Sequence, residues 1–184
     1  YIFWINILGR LFIDKYFSSA ETYLEIGTGM GYLPFVIKSI KPNAKIVLVD
    51  LPEQLASAYY FLDQRFPNQV APFSVIKENL SDKFIAQSDF SFFLVPSQHF
   101  SKYKISADVG IGTATFQEMN KETVISYMDQ LNECIKLGCF IYGGDGLKSK
   151  SHNQIEYVNL PKLYMKHLSN FEKTFCVCVC VCVS

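Results

Sequence analysis

Residues 22–53, TYLEIGTGMGYLPFVIKSIKPNAKIVLVDLPE, predict a strand, a glycine turn, a helix and a second strand in that order. Thr22–Ile26 is a short apolar run of β-prone residues, and Tyr32–Ile40 has its apolar residues at helical spacing. The second strand, Lys45–Val49, stops at an acid, Asp50. This order is typical of a βαβ unit.

The turn between the first strand and the helix has the features of a nucleoside site. Gly27, Gly29 and Gly31 allow the backbone to turn tightly and to approach a ligand closely. The N-terminus of the following helix offers free N–H groups and the positive end of the helix dipole. Asp50, at the tip of the next strand, is placed to accept hydrogen bonds from a ribose diol. We therefore predict a nucleoside-binding unit; the alternative is a glycine turn in a fold that binds no ligand.

The residues around the turn indicate which nucleoside it suits. A dinucleotide fingerprint needs a further glycine where this chain has Tyr32. A carboxylate at Glu25 would repel a pyrophosphate but suits a cationic ligand. The run of residues 25–31, EIGTGMG, resembles motif I of the class I S-adenosylmethionine-dependent methyltransferases, and Asp50 matches the ribose-binding acid of that family. The resemblance implies S-adenosyl-L-methionine as the cofactor, bound by Glu25, Gly27, Thr28, Gly29, Gly31, Asp50 and Leu51.

Further stretches resemble a smaller group, the sugar O-methyltransferases. They are Val49–Glu53, Tyr59–Leu62 and Thr115–Met119, so that the likeness covers roughly residues 20–145. It implies direct transfer of a methyl group from a sulfonium to a hydroxyl of a sugar or another small molecule, in a site that mainly aligns the reacting atoms. One departure is Gly112, which stands where that group has an asparagine.

A catalytic base is expected, because a sugar hydroxyl is a poor nucleophile at neutral pH. Glu118 follows the predicted fourth strand and belongs to the family-like run; alternatively, it is a capping acid near the start of the next helix. His99 follows the predicted third strand; alternatively, it is a surface histidine in a loop.

The rest of the chain continues the alternation of strands and helices. A helix is predicted from Pro52 to Phe66, with Leu55, Ala58, Tyr59 and Leu62 on its buried face and Tyr60 at the rim of the core. For the third strand we favour Phe90–Val95 over Phe73–Ile76, because its apolar run is continuous enough to be buried on both faces.

The last predicted elements are a strand, a helix and a strand. They are Ala107–Ile111, Lys121–Leu137 and Cys139–Tyr142. Asn120 is expected to cap the helix and Gly138 to follow it. One face of the helix carries the apolar residues Val124, Ile125, Met128, Leu131 and Ile135. The alternation predicts an α/β fold with a doubly wound, mostly parallel sheet, helices on both faces and incomplete termini. The loops after the strands then open on one rim, and this convergence brings the glycine turn, Asp50, His99 and Glu118 to one crevice.

Length and composition indicate one domain. Residues 1–175 are interpreted as the methyltransferase-like domain, with an N-terminal helix within 1–19, and residues 176–184 as a low-complexity Cys-Val tail. Because the chain begins with Tyr1, we interpret it as a fragment of a longer protein. Cys134 and Cys139 are expected to be small buried hydrophobic residues.

The 184 residues contain 17 basic and 17 acidic side chains and no run of 18 apolar residues. We therefore expect no nucleic-acid or membrane partner and a cytoplasmic protein, and no ligand spacing indicates a metal site. The oligomeric state has no signature in the sequence.

Three functions are compatible with these patterns. The first is the S-adenosylmethionine-dependent O-methyltransferase. The second is a degenerate or truncated domain that keeps the fold without catalysis, which the glycine at position 112 favours. The third is a nicotinamide-dependent oxidoreductase, against which Tyr32 argues.

Overall fold

The computed structural model describes residues 18–113, 115–143 and 175–179 of the chain. The helix predicted within residues 1–19 lies outside the described residues except for a turn at 18–19, as do residues 144–174. The strands are β1 Thr22–Ile26, β2 Lys45–Asp50, β3 Phe92–Pro96, β4 Ala107–Thr113, β5 Ile135–Gly143 and β6 Phe175–Val179. The α-helices are α1 Tyr32–Ile40, α2 Pro52–Arg65, α3 Phe73–Asn79, α4 Asp82–Gln87 and α5 Lys121–Cys134, and short 3₁₀ helices span Ser97–Lys102 and Phe116–Glu118.

The strands form one parallel sheet in the order β3-β2-β1-β4-β5-β6. The order reverses between β1 and β4, so the fold is doubly wound, as the sequence predicted. Such a switch point leaves a crevice outside the carboxyl ends of the strands. The glycine turn follows β1 at this point of the sheet.

Two apolar clusters hold the helices on the sheet, because successive strand residues point to opposite faces. On one face, Leu24, Val47 and Phe93 pack with residues of α3, α4 and α5. On the other, Tyr23 and Ile46 pack with residues of α1 and α2. Helices therefore cover both faces of the sheet, as predicted. This is a Rossmann-like arrangement.

The helix predicted as Lys121–Leu137 ends earlier, at Cys134, and the strand predicted as Cys139–Tyr142 begins at Ile135. Gly138 does not follow the helix but pairs with Gly110 across β4 and β5. The run Ile135–Gly143 is apolar at both helical and strand spacing, and pairing with β4 decides in favour of the strand. Asn120 caps the helix as predicted, with its side chain accepting a hydrogen bond from Thr123 N at 2.8 Å.

The preferred third strand is confirmed as Phe92–Pro96, whereas Phe73–Ile76 lies in α3. The predicted burial of Tyr59 in α2 is wrong: Tyr59 is 43% exposed, and Phe61 takes its place in the core beside Leu55, Ala58 and Leu62. Phe61 belongs to the apolar cluster on this face of the sheet, and its ring packs edge-on against Tyr32 with 4.7 Å between the ring centroids.

The start of the Cys-Val tail contributes to the sheet. Residues 176–179 belong to β6, whose backbone pairs with β5; the low-complexity character of the tail stays a prediction. Cys134 is partly buried, and burial raises the pKa of its thiol to about 12, which keeps it in the unreactive thiol form. Among the described residues, no helix is long and apolar enough to cross a membrane.

Candidate cofactor site

The loops that follow β1 to β4 meet at one rim of the sheet. The register aligns Ile26 with Val49 and with Gly112, and Asp50 with Pro96, so these strands end side by side. The glycine turn, the start of α2 and both 3₁₀ helices follow these ends. This is the convergence that the sequence predicted.

The glycine turn depends on backbone angles that other residues avoid. Gly27, Gly29 and Gly31 have φ of 79°, 54° and 80°, all in the left-handed region. Gly27 N donates to Val49 O at 2.8 Å and Gly31 N donates to Thr28 O at 3.0 Å, which fixes both ends of the turn. No side chain caps α1, so the free amides at its start lie beside the turn.

Asp50 is bound directly to the glycine turn. Its Oδ2 accepts from Gly29 N at 2.8 Å, and its Oδ1 accepts from Leu51 N at 2.7 Å. A carboxylate has lone pairs for further donors, so Asp50 keeps acceptor capacity toward the rim. The Leu51 side chain, 58% exposed beside it, adds apolar surface.

Glu25 is a buried residue of β1, two positions before Gly27. It is 1% exposed and stands between Leu48 and Ile111 in the register of β1 with its neighbours. Its Oε2 and the hydroxyl of Thr28, itself 7% exposed, have no hydrogen-bond partner. Buried polar atoms are normally paired, so these two suit a polar group of a ligand.

Burial raises the pKa of Glu25 to about 8, and the nearby Asp50 carboxylate adds to the increase. The proximity of Thr28 acts in the opposite direction, although its hydroxyl makes no hydrogen bond of good geometry. A cationic group placed against Glu25 would reverse the shift, because an opposite charge stabilises the ionised carboxylate.

The two candidate bases lie on separate loops of the rim. Glu118 is exposed at the end of the 3₁₀ helix after β4. His99 lies after β3, half-buried, with its ring stacked on Phe73 at 6.5 Å between centroids and its buried Nδ1 without a hydrogen-bond partner. Both residues thus lie on loops at the carboxyl ends of the strands.

Sequence reasoning gave no individual role to Thr115, although it lies in the family-like run, and did not name Tyr127. Thr115 places its hydroxyl 3.3 Å from Gly27 O, and Tyr127 of α5 packs its ring on Phe100 at 6.2 Å and on Phe116 at 6.1 Å. Burial raises the pKa of the Tyr127 phenol; the nearby Ser97 opposes the increase and the charge of Asp50 adds to it. Tyr127 follows Val124 by one helical turn, so the apolar stripe of α5 could have indicated it.

Among solved structures, this chain is similar to PigF with SAH, to the mitomycin 7-O-methyltransferase MmcR and to an O-methyltransferase family protein from Burkholderia thailandensis. The TM-scores are 0.52, 0.50 and 0.50, with identities of 18%, 18% and 13%. These matches cover 88%, 72% and 72% of this chain but only 42%, 33% and 34% of those proteins. No protein-family model and no curated protein matches the chain. The chain thus has the fold of these methyltransferases and spans less than half of their length.

Proposed function

We propose that this domain binds S-adenosyl-L-methionine and transfers its methyl group to a hydroxyl of a sugar or another small molecule. The observation that carries the proposal is the hydrogen bond from Gly29 N to Asp50 Oδ2, in the turn that follows the strand containing the buried Glu25. This arrangement offers acceptors for a ribose and an unpaired carboxylate oxygen for a cationic amino group.

Each predicted cofactor residue has a role in this proposal. Asp50 would accept from the ribose hydroxyls, and Glu25 would face the amino group. The three glycines would let the cofactor approach the backbone closely. Thr28 would supply a hydroxyl, and Leu51 would supply apolar surface. When bound, the cofactor supplies an electrophilic methyl group on a sulfonium. The protein aligns the acceptor oxygen with it and removes the hydroxyl proton, for which Glu118 is our first choice and His99 the second.

The nicotinamide alternative fits the site less well. Tyr32 replaces the further glycine of the dinucleotide fingerprint, and a buried acid, Glu25, directly precedes the turn that would hold a pyrophosphate. The non-catalytic alternative rests on Gly112, which lies beside Ile26 at the carboxyl end of β4 without the expected asparagine side chain. Cofactor binding without turnover on any acceptor would favour it.

Replacing Asp50 by alanine tests the cofactor site. The variant loses the carboxylate that accepts from Gly29 N and Leu51 N, and with it the proposed ribose acceptor. A hydrogen bond to a charged group contributes about 1.5–3 kcal/mol, so S-adenosylhomocysteine should bind roughly tenfold to 100-fold more weakly by calorimetry. Asp89→Ala, an exposed acid before the amino end of β3, is the matched control and should bind as the parent does. Equal affinity of the parent and Asp50→Ala for S-adenosylhomocysteine would show that Asp50 does not bind the cofactor.

The pH dependence of binding tests Glu25. In the free protein Glu25 is protonated below a pKa of about 8, and a cationic amino group favours the ionised form. Affinity for S-adenosylhomocysteine should therefore fall as the pH drops from 8 to 6, by up to about tenfold per unit, since only the ionised fraction binds well. Adenosine, which lacks the cationic α-amino group of the amino-acid part, should bind with little pH dependence, and Glu25→Gln should remove the difference between the two ligands. Parallel pH profiles for both ligands in the parent would contradict the role of Glu25.

The raised pKa of Glu25 also makes the stability of the protein depend on pH. The pKa of Glu25 is higher in the folded state than its ordinary value of 4.5, so the folded state binds the proton more tightly. Glu25 therefore lowers the free energy of unfolding progressively as the pH rises from about 4.5 through 8. As the pH rises from about 4.5 to 8, thermal unfolding should show the Tm of Glu25→Gln increasing relative to that of the parent.

A further inference from the structure

We propose that Thr115 is a positioning residue that couples the cofactor turn to the loop carrying Glu118. The inference rests on the proposed function and adds to it a link between cofactor binding and the acceptor side of the site. The Thr115 hydroxyl lies 3.3 Å from Gly27 O and 3.2 Å from Thr113 O, so it joins the turn after β1 to the segment after β4.

Packing makes this contact tight. A Cβ at position 27 would lie 1.9 Å from Thr115 Oγ1 and 2.3 Å from Thr115 Cγ2. The Thr115 side chain therefore occupies the space that any side chain at position 27 would need. Because atoms cannot overlap, a shift of the glycine turn toward this loop must move Thr115.

A second hydrogen bond continues the connection to the candidate base. Glu118 N donates to Thr115 O at 3.1 Å, so Gly27 is joined to the backbone of Glu118 through a single residue. Phe116 between them is 2% exposed and packs its ring on Tyr127, which fixes the loop to α5. Glu118 itself is exposed at the rim, where an acceptor would approach.

The consequence is reciprocal coupling. A ligand that orders the glycine turn should also order the loop of residues 115–119, and an acceptor that orders this loop should strengthen cofactor binding by the same factor, on the order of fivefold to 150-fold. The hydrogen-bonded part of the coupling should depend on the hydroxyl, because the methyl group of Thr115 cannot bind the Gly27 carbonyl, whereas the packing contact does not need it.

Hydrogen exchange followed by mass spectrometry tests the link, with S-adenosylhomocysteine as the probe. In the parent, the probe should slow exchange in residues 25–31 and also in residues 115–119. Thr115→Val keeps the shape of the side chain but loses the hydroxyl, so the probe should still protect residues 25–31 while residues 115–119 respond less than in the parent. Thr115→Ser keeps the hydroxyl and should restore the response.

The outcomes separate the link from the proposed cofactor. Protection of residues 25–31 without any response of residues 115–119 in the parent overturns the coupling and leaves cofactor binding intact. A full response of residues 115–119 in Thr115→Val also overturns it. Failure of the probe to bind the parent overturns the proposed function, and the coupling with it. Thermal unfolding will show whether Thr115→Val folds. If it does not, the response of residues 115–119 in the parent still tests the coupling.

Discussion

Gly27→Ala is expected to lower the free energy of unfolding by about 2–5 kcal/mol. The backbone of Gly27 has a φ of 79°, and a left-handed conformation costs a residue with a side chain about 1–2 kcal/mol. The new methyl group would also lie 1.9 Å from Thr115 Oγ1, and forcing an extra carbon into a filled space costs about 1–3 kcal/mol more. Thermal unfolding should show a midpoint lower by roughly 4–20 °C, with binding of S-adenosylhomocysteine strongly weakened.

Gly29→Ala is the matched control for this substitution. Gly29 also has a positive φ, of 54°, but a Cβ there meets no atom within 4 Å. It should cost only the backbone contribution, about 1–2 kcal/mol. Thr115→Gly combined with Gly27→Ala removes the clashing atoms and should recover part of the loss, which a double-mutant cycle measures. Equal destabilisation by the two single alanine substitutions would contradict the packing of Thr115 against Gly27.

Glu118→Gln is expected to reduce turnover by about 10²- to 10⁴-fold, the usual contribution of a general base. Glutamine keeps the shape of the side chain but cannot take the proton of the acceptor hydroxyl. The affinity for S-adenosylhomocysteine should not change, because Glu118 lies on the loop after β4 and not at the glycine turn. The assay is formation of S-adenosylhomocysteine from S-adenosylmethionine, with the acceptor found by screening a panel of free sugars.

Glu122→Gln is the control for Glu118→Gln, since Glu122 is also exposed and lies in the first turn of α5. Its turnover should equal that of the parent. If Glu118→Gln also keeps full turnover, Glu118 is a helix-start acid and not the base. A loss in His99→Gln alone would then assign the base to His99, whose Nδ1 has no hydrogen-bond partner.

The βαβ unit could be predicted closely because its signals are local. Thr22–Ile26 and Tyr32–Ile40 have the bounds that the sequence indicated, and the second strand extends by one residue to Asp50. Glycine permits the positive φ that the turn needs and proline fixes φ at a helix start, so both residue types mark their turns regardless of the rest of the fold. The doubly wound, mostly parallel sheet followed from the alternation of strands and helices, whereas the strand order comes from the structure.

Other features depend on contacts between distant residues. The end of α5 could not be placed because Ile135–Gly143 suits either state, and β4 decides it by pairing. Gly110 shows how close that approach is, since a Cβ there would lie 2.4 Å from Ile135. The contact of Thr115 with Gly27 spans 88 positions of the chain, so no local pattern could indicate it.

The most direct test of the proposed function is calorimetric titration of the parent protein with S-adenosylmethionine, S-adenosylhomocysteine and NAD. The buried Glu25 and the hydrogen bond between Gly29 and Asp50 predict saturable binding of the first two ligands, and Tyr32 in place of the fingerprint glycine predicts no binding of NAD. Binding of NAD without binding of S-adenosylhomocysteine would contradict the proposal and favour a nicotinamide-dependent enzyme.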